Sequence, residues 1–190
     1  MSYINPMIIE ERNLNVASMD VFSRLMMDRI IFLGTEIDPE VANTIVAQLL
    51  FLDQQKEEEI TIYINSPGGD IDAGLAIYDT MQLVKSPIKT VVVGLAASMA
   101  SVILVGGDKR FALPHSKVLI HQPRGAVGGQ AKDIFITVKE FEKDYDTLAK
   151  IISKHTKQNF QKVYEDMDRD LWMNPEEALK YNIIDEIIED

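Results

Sequence analysis

Thr90-Val91-Val92-Val93-Gly94-Leu95-Ala96-Ala97-Ser98-Met99-Ala100-Ser101 is the stretch on which the reading of this chain turns. A β-branched run closed by a glycine has the pattern of a short buried strand. The small and apolar residues from Ala96 to Val105 read as the start of a helix. Ser98 then lies where a strand turns sharply into a helix. Such a turn exposes a serine hydroxyl and gathers backbone N–H groups beside it, at the positive end of the helix. Gly-x-x-x-Ser departs from the hydrolase elbow Gly-x-Ser-x-Gly, and taken alone the pattern is more simply that of a serine capping a helix. The flanks decide between the two.

Upstream, Glu59 to Ile64 alternates as a strand and is broken by Asn65-Ser66-Pro67-Gly68-Gly69-Asp70. A helix follows, apolar over much of its circumference through Gly74, Leu75, Ile77, Tyr78, Met81, Leu83 and Val84. Before it, Asp38-Pro39-Glu40 combines an N-cap acid, a proline in the first turn and an early carboxylate, a strong helix start. Ala42, Ile45, Val46, Leu49, Leu50 and Leu52 give that helix one apolar face. Arg29 to Leu33 reads as the first core strand, stopped by Gly34, and Met19 to Asp28 as a short helix. Three strand–helix units in succession imply an α/β fold with right-handed parallel crossovers. Met1 to Ser18 shows no period and reads as a mobile arm whose Met7-Ile8-Ile9, after Pro6, form an apolar anchor.

Downstream come two short strands, Arg110 to Leu113 and Lys117 to Ile120, with Pro114 between them. Gln122 to Gln130 holds three glycines and is expected to be irregular. A long helix then runs from Ala131 to His155. Ile134, Val138, Phe141, Tyr145, Leu148 and Ile152 fall on it at alternating spacings of 4 and 3, a narrow seam like that of helices packed on other helices. At 1.5 Å per residue such a helix is on the order of 36 Å long. It should protrude, and its seam points to contacts between subunits. The tail reads as a short helix over Gln158–Asp166, a helix opened by Asn174-Pro175, and a final strand at Ile183-Ile184.

Composition narrows the function. A chain of 190 residues, 46% hydrophobic and 26% charged, fits one globular domain. A net charge of −11 argues against nucleic acid or an anionic membrane as the main partner. With no cysteine, disulfides and thiolate metal sites are excluded, and the chain fits a reducing compartment. No apolar run is long enough to span a membrane, and the N-terminus lacks a signal-peptide layout. A cytoplasmic protein is expected.

Three features carry chemistry. Ser66-Pro67-Gly68-Gly69 sits at the carboxyl end of a buried strand, where ligands bind in open α/β folds. As a phosphate loop it is poor, since the Walker spacing is absent. His121 ends the apolar run Val118-Leu119-Ile120 and opens the glycine-rich loop, well placed to face a cleft. His115, behind Pro114, and His155, a cation suited to a helix C-terminus, have structural explanations. Asp170 closes Asp168-Arg169-Asp170 and is followed by Leu171-Trp172-Met173, which reads as a buried segment, so Asp170 is a candidate desolvated carboxylate. A serine needs an imidazole to take its proton, and the imidazole needs a carboxylate to fix its tautomer. Gly69 and Met99 have the placement to offer backbone N–H groups to an oxyanion.

These motifs, in order and over nearly the whole chain, resemble the proteolytic subunits of the Clp (caseinolytic) protease family. The resemblance includes Asp28-Arg29-Ile30-Ile31-Phe32-Leu33-Gly34, Tyr63-Ile64-Asn65-Ser66-Pro67-Gly68-Gly69, Gly94 to Ala100, Ile120-His121-Gln122-Pro123 and Asp168-Arg169-Asp170. It implies a crotonase-like superhelix of repeated β-α units with a protruding handle helix. On that division residues 1–18 are an axial arm, 19–121 and 156–190 an α/β head, and 122–155 the handle. It further implies Ser98 as nucleophile, His121 as general base, Asp170 as third member, and the Gly69 and Met99 N–H groups as oxyanion hole. Gly68, Gly69, Asp70 and Ile71, with Pro123, Arg124, Gly125 and Ala126, match the edges that hold a peptide as an added strand.

The family resemblance implies two stacked seven-membered rings, a homomeric or mixed tetradecamer, fed with unfolded proteins by an AAA+ unfoldase of the ClpX, ClpA or ClpC type. No metal or cofactor is expected in the subunit, ATP being used by the partner. Three departures stand out: a shortened loop around Gly106-Gly107-Asp108, Asn13-Leu14-Asn15-Val16 in the arm, and Leu171-Trp172 beside the acid. The last raises a paralogue that needs a second subunit for full activity. An acyl-CoA hydratase or isomerase on the crotonase-like fold, or an inactive ring subunit, would need no Ser-His-Asp set. This chain keeps all three residues.

Overall fold

The structure, a computed structural model, describes residues 7–12 and 15–189. β1 (Met7–Arg12) and β2 (Asn15–Asp20) pair antiparallel, from Met7 opposite Asp20 to Arg12 opposite Asn15. The arm, in which the sequence shows no period, is thus a hairpin where it is described; Pro6, with the rest of residues 1–6, and residues 13–14 lie outside the described residues. Helix α1 (Val21–Met27) begins two residues later than the sequence implied. Asp20 ends β2, and its carboxylate accepts the Phe22 and Ser23 N–H groups, both at 3.0 Å, so it caps the helix instead of entering it.

β3 (Ile30–Leu33), α2 (Pro39–Gln55), β4 (Ile60–Ser66), α3 (Ile71–Leu83), β5 (Ile88–Ala97) and α4 (Met99–Val105) alternate as expected. β3, β4 and β5 are parallel neighbours. α2 starts where Asp38 accepts the Val41 N–H at 2.8 Å, with Pro39 in its first turn. Its buried face is Ala42, Ile45, Leu49 and Leu52. Leu50, one residue round from Leu49, is instead exposed, so the face is narrower than the apolar residues alone indicated.

The deciding stretch differs from expectation in one respect. β5 does not stop at Gly94 but runs on to Ala97, and α4 begins only at Met99. Gly94 is there because the Asn65 side chain lies across the strand. A Cβ at Gly94 would sit 2.5 Å from Asn65 Oδ1, which accepts the Leu95 N–H. The register between β4 and β5 shifts at that point, from Ile64 opposite Val92 to Ser66 opposite Ala96.

The lengthened β5 serves two further strands on its other edge. Lys89–Val92 pairs with β6 (Lys109–Ala112), and Leu95–Ala97 with β7 (Lys117–Ile120), both parallel. The helices α5 (Ala131–Thr156) and α6 (Phe160–Asp166) precede β8 (Leu171–Met173), which pairs antiparallel with β7. α7 (Pro175–Lys180) follows, opened by a capping box between Asn174 and Glu177, and β9 (Glu186–Ile187) joins β6. The last strand thus lies beyond Ile183 and Ile184. Those two are buried, but Asn182 takes a φ of 63° and the Ile183 N–H returns to the Ala178 carbonyl at 2.8 Å, so they close α7.

Side chains such as Ile31, Leu49, Ile62, Ile77 and Ile103 fill the core, each burial contributing roughly 1.5–3 kcal/mol. α5 divides along its length. Tyr145, Leu148 and Ile152 of its seam are buried in that core, whereas Val138 is exposed and the nearby Phe135 and Ile136 are 68% and 60% exposed. With 26 residues the helix is about 39 Å long.

Candidate active site

β5 and its parallel neighbour β7 end where β8, antiparallel to β7, begins. Ser98 follows the last residue of β5, His121 the last residue of β7, and Asp170 precedes the first residue of β8. The pairing of Ala97 with Leu119 and of Ile120 with Leu171 brings these three positions to one end of the sheet.

Ser98 is held in a backbone conformation that L-residues rarely take, φ 55° and ψ −125°. Its N–H donates to the Leu119 carbonyl at 2.9 Å, and its own carbonyl accepts from the Ser101 N–H at 2.9 Å and the Ser101 hydroxyl at 2.6 Å. Such strain persists where the surroundings over-determine it. The Ser98 side chain makes no capping hydrogen bond, which removes the helix-cap reading of this serine. The hydroxyl forms no hydrogen bond to His121 among the described residues, a contact that in free enzymes often tightens only with substrate.

His121 Nδ1 lies 3.2 Å from Asp170 Oδ1. Gln122 fastens the two segments: its N–H donates to the Met167 carbonyl at 2.6 Å and its side-chain amide to the Asp168 carbonyl at 2.5 Å. Burial lowers the pKa of His121, the Arg124 cation lowers it further, and Asp170 opposes both without reversing the direction. The imidazole is therefore neutral and able to accept a proton at neutral pH.

Asp170 is not the desolvated carboxylate that the sequence pointed to. It is exposed, as is Trp172, and only Met173 of the following segment is buried. Its carboxyl is held below the usual range, first by a hydrogen bond from the Arg124 guanidinium and then by that cation's charge and His121. His155 also departs from expectation: burial drives its pKa down to about 4, and its Nε2 shares a 2.8 Å hydrogen bond with the Tyr78 hydroxyl. It is a neutral packed residue and not a helix-end cation. His115 lies exposed in the expected turn, closed by the Ser116 N–H on the Leu113 carbonyl.

The glycine pair forms the facing wall. A Cβ at Gly68 would lie 2.7 Å from Ser98 Cβ and 2.9 Å from the Met99 nitrogen, and its φ is 89°. Gly69, at φ 153°, forms a bridge with Ile37, which takes up the Gly68 carbonyl and the Asp70 N–H, each at 2.8 Å. The Gly69 N–H takes no part in that bridge. Neither it nor the Met99 N–H has a hydrogen-bond partner among the described residues. Asp70 caps α3 through the Ala73 N–H at 2.8 Å, and Ile71 is the first residue of that helix. On the opposite side Pro123, Arg124, Gly125 and Ala126 lie in the irregular segment, where Gly125 has no room for a Cβ against the Phe141 ring, 2.6 Å away.

Sequence reasoning did not foresee Asn65 as the brace across β5 or Arg124 as a partner of Asp170. The amide beside the strand-breaking Ser-Pro-Gly-Gly was the available signal for the first. For the second there was none, because the two residues are distant in sequence.

With this geometry in place, likeness to known proteins decides the family. The sequence model of the Clp protease family matches residues 12–190. The chain belongs to the Clp protease family. It is 58% identical over 189 residues to an ATP-dependent Clp protease proteolytic subunit of Bacteroides fragilis, spanning 98% of this chain and 91% of that protein. The proteins of the same name from Bacteroides thetaiotaomicron and Porphyromonas gingivalis are each 57% identical, covering 98% and 99% of this chain and 86% of either relative. The chain is accordingly a peptidase of this family, and the mixed sheet with seven helices among the described residues is the family's α/β fold.

Proposed function

We propose that this chain is the proteolytic subunit of an ATP-dependent Clp protease, cleaving unfolded proteins and peptides through Ser98, His121 and Asp170. The observation that carries the assignment is the convergence of three strand ends, with Ser98 strained and uncapped and His121 on Asp170 at 3.2 Å. Ser98 Oγ attacks the scissile carbonyl while His121 Nε2 takes its proton. Asp170 holds the Nδ1–H and stabilises the imidazolium. The C–N bond then breaks, His121 returns the proton to the leaving amine, and an acyl-Ser98 ester remains. Water, deprotonated by His121, attacks the ester and releases the acid and the serine. The unpartnered Gly69 and Met99 N–H groups suit the oxyanion of each tetrahedral intermediate. Every proton step is supplied by these side chains, so the reading calls on no metal or cofactor in the subunit, with ATP assigned to the partner.

A peptide would lie as an added strand between Gly68, Gly69, Asp70 and Ile71 on one side and Pro123, Arg124, Gly125 and Ala126 on the other. Asp70 lines that edge without a free donor, since its side chain caps α3 and its N–H is held by the Ile37 carbonyl, and Ile71 follows as the first residue of α3. The exposed apolar residues on the outer half of α5 support assembly into two seven-membered rings joined through that helix. An AAA+ unfoldase would deliver the substrate. A cytoplasmic setting agrees with the acidic, cysteine-free composition, and no described helix is long and apolar enough to cross a membrane.

The test is intact-mass measurement of the full chain and of Ser98→Ala after exposure to a fluorophosphonate. One adduct per wild-type chain and none on Ser98→Ala is the expected result. A folded wild-type protein that stays unlabelled, alone and mixed with a paralogue from the same cell, would sink the assignment.

A further inference from the structure

We propose that Arg124 is a positioning residue that competes with the His121 imidazole for Asp170 Oδ1 and thereby restrains His121 as a base. The inference rests on the triad reading above. Both donors meet the same oxygen: His121 Nδ1 at 3.2 Å and an Arg124 guanidinium N–H in closer contact. The carboxylate that should favour a protonated imidazole is thus already paired with a fixed cation. Every unit of negative charge that Arg124 neutralises is lost to the imidazolium, which the reaction must generate.

The charged surroundings of His121 are few. Arg124 lies on the segment leaving β7, and Asp170 on the segment entering β8. Asp168, on that second segment, receives the Gln122 amide and pairs with Arg169 at 3.8 Å. α4, opposite, is Met-Ala-Ser-Val-Ile-Leu-Val and brings no ionisable group, and Asp70 is engaged in capping α3. Arg124 is therefore the one cation acting directly on the pair among the described residues, in agreement with the downward pull it exerts on the imidazole.

The restraint is also breakable. The Arg124 side chain is 65% exposed and Asp170 37%, so the pair is bathed in solvent and weak. It sits on the irregular, glycine-rich segment, held by no ladder of backbone hydrogen bonds. Movement of that segment frees Asp170 for His121 without disturbing β5, β7 or β8. Arg124 thus sets a low resting reactivity that is raised when the guanidinium finds another partner.

The experiment follows the imidazole itself. In the full-length Ser98→Ala chain with ring-labelled histidine, three resonances are expected, and His115→Gln and His155→Gln assign them. Arg124→Leu should move the His121 titration midpoint to higher pH, whereas Arg124→Lys, which keeps the cation, should stay near the wild-type midpoint. With Ser98 intact, the acid limb of the fluorophosphonate rate should move the same way in Arg124→Leu, and its plateau rise about two- to fivefold. Loss of a merely structural contact would lower the plateau and leave the midpoint in place. An unmoved midpoint in Arg124→Leu, or an equal displacement in Arg124→Lys, overturns the proposal. Failure of Ser98 to react at all would fall on the triad reading, while the imidazole titration judges Arg124 separately.

Discussion

The two walls of the site are built on opposite principles. On the nucleophile side, Ser98 is fixed by backbone hydrogen bonds to Leu119 and Ser101 and walled by Gly68, with buried Ala97 and Met99 on either side. On the acid side, Asp170, Arg124, Asp168 and Arg169 are all exposed and hold one another through side chains. Geometry is thus secured where packing is dense, and base strength is set where charges meet water. Packing fixes position to a fraction of an ångström but cannot easily be altered. Exposed ion pairs position poorly but respond to small movements.

Substitutions on each wall sharpen this contrast. Asp170→Asn should lower kcat/KM of peptide hydrolysis about 10³–10⁴-fold, because an amide holds the wrong His121 tautomer. Since Asp170 is exposed, thermal unfolding monitored by circular dichroism should barely change; a large loss of stability would mean that the acid wall is packed after all. Gly69→Ala acts on the opposite wall and should damage both properties. Its Cβ would lie 2.1 Å from the Ile37 carbonyl oxygen, so the turn must shift. Activity should fall about 10²–10³-fold through the lost oxyanion donor, with a stability loss of about 1–3 kcal/mol in a denaturant melt. The smallest effect is expected at Asn174, which follows the end of β8 away from Asp170. Asn174→Ala removes the cap on α7 and should cost about 1 kcal/mol while leaving the peptidase rate unchanged.

Much of the packed wall was legible because its logic is local. Asp38-Pro39 named the start of α2 and small residues around Ser98 announced a sharp turn, while β4 runs two residues past the expected Ile64 and stops only at Pro67-Gly68-Gly69. Gly94 has the look of a strand stop in sequence because its reason, the Asn65 side chain, comes from the neighbouring strand. The same limit hid the Arg124–Asp170 pair, since nothing near Arg124 in sequence signals an acid that arrives with β8. His155 differs for a related reason: its position on a helix argues for charge, while the burial that removes it and its partner Tyr78 come from the tertiary fold.

The fork in β5 bears on how the site comes apart. This strand is bonded along one edge to β4 and along the other to β6 and then β7, so its amides are released only when the domain as a whole opens. Asp170 hangs instead from a three-residue strand on the far side of β7. On warming, the carboxylate should therefore depart before the strained serine, so that hydrolysis is expected to fade while the protein is still folded and to return on cooling without refolding.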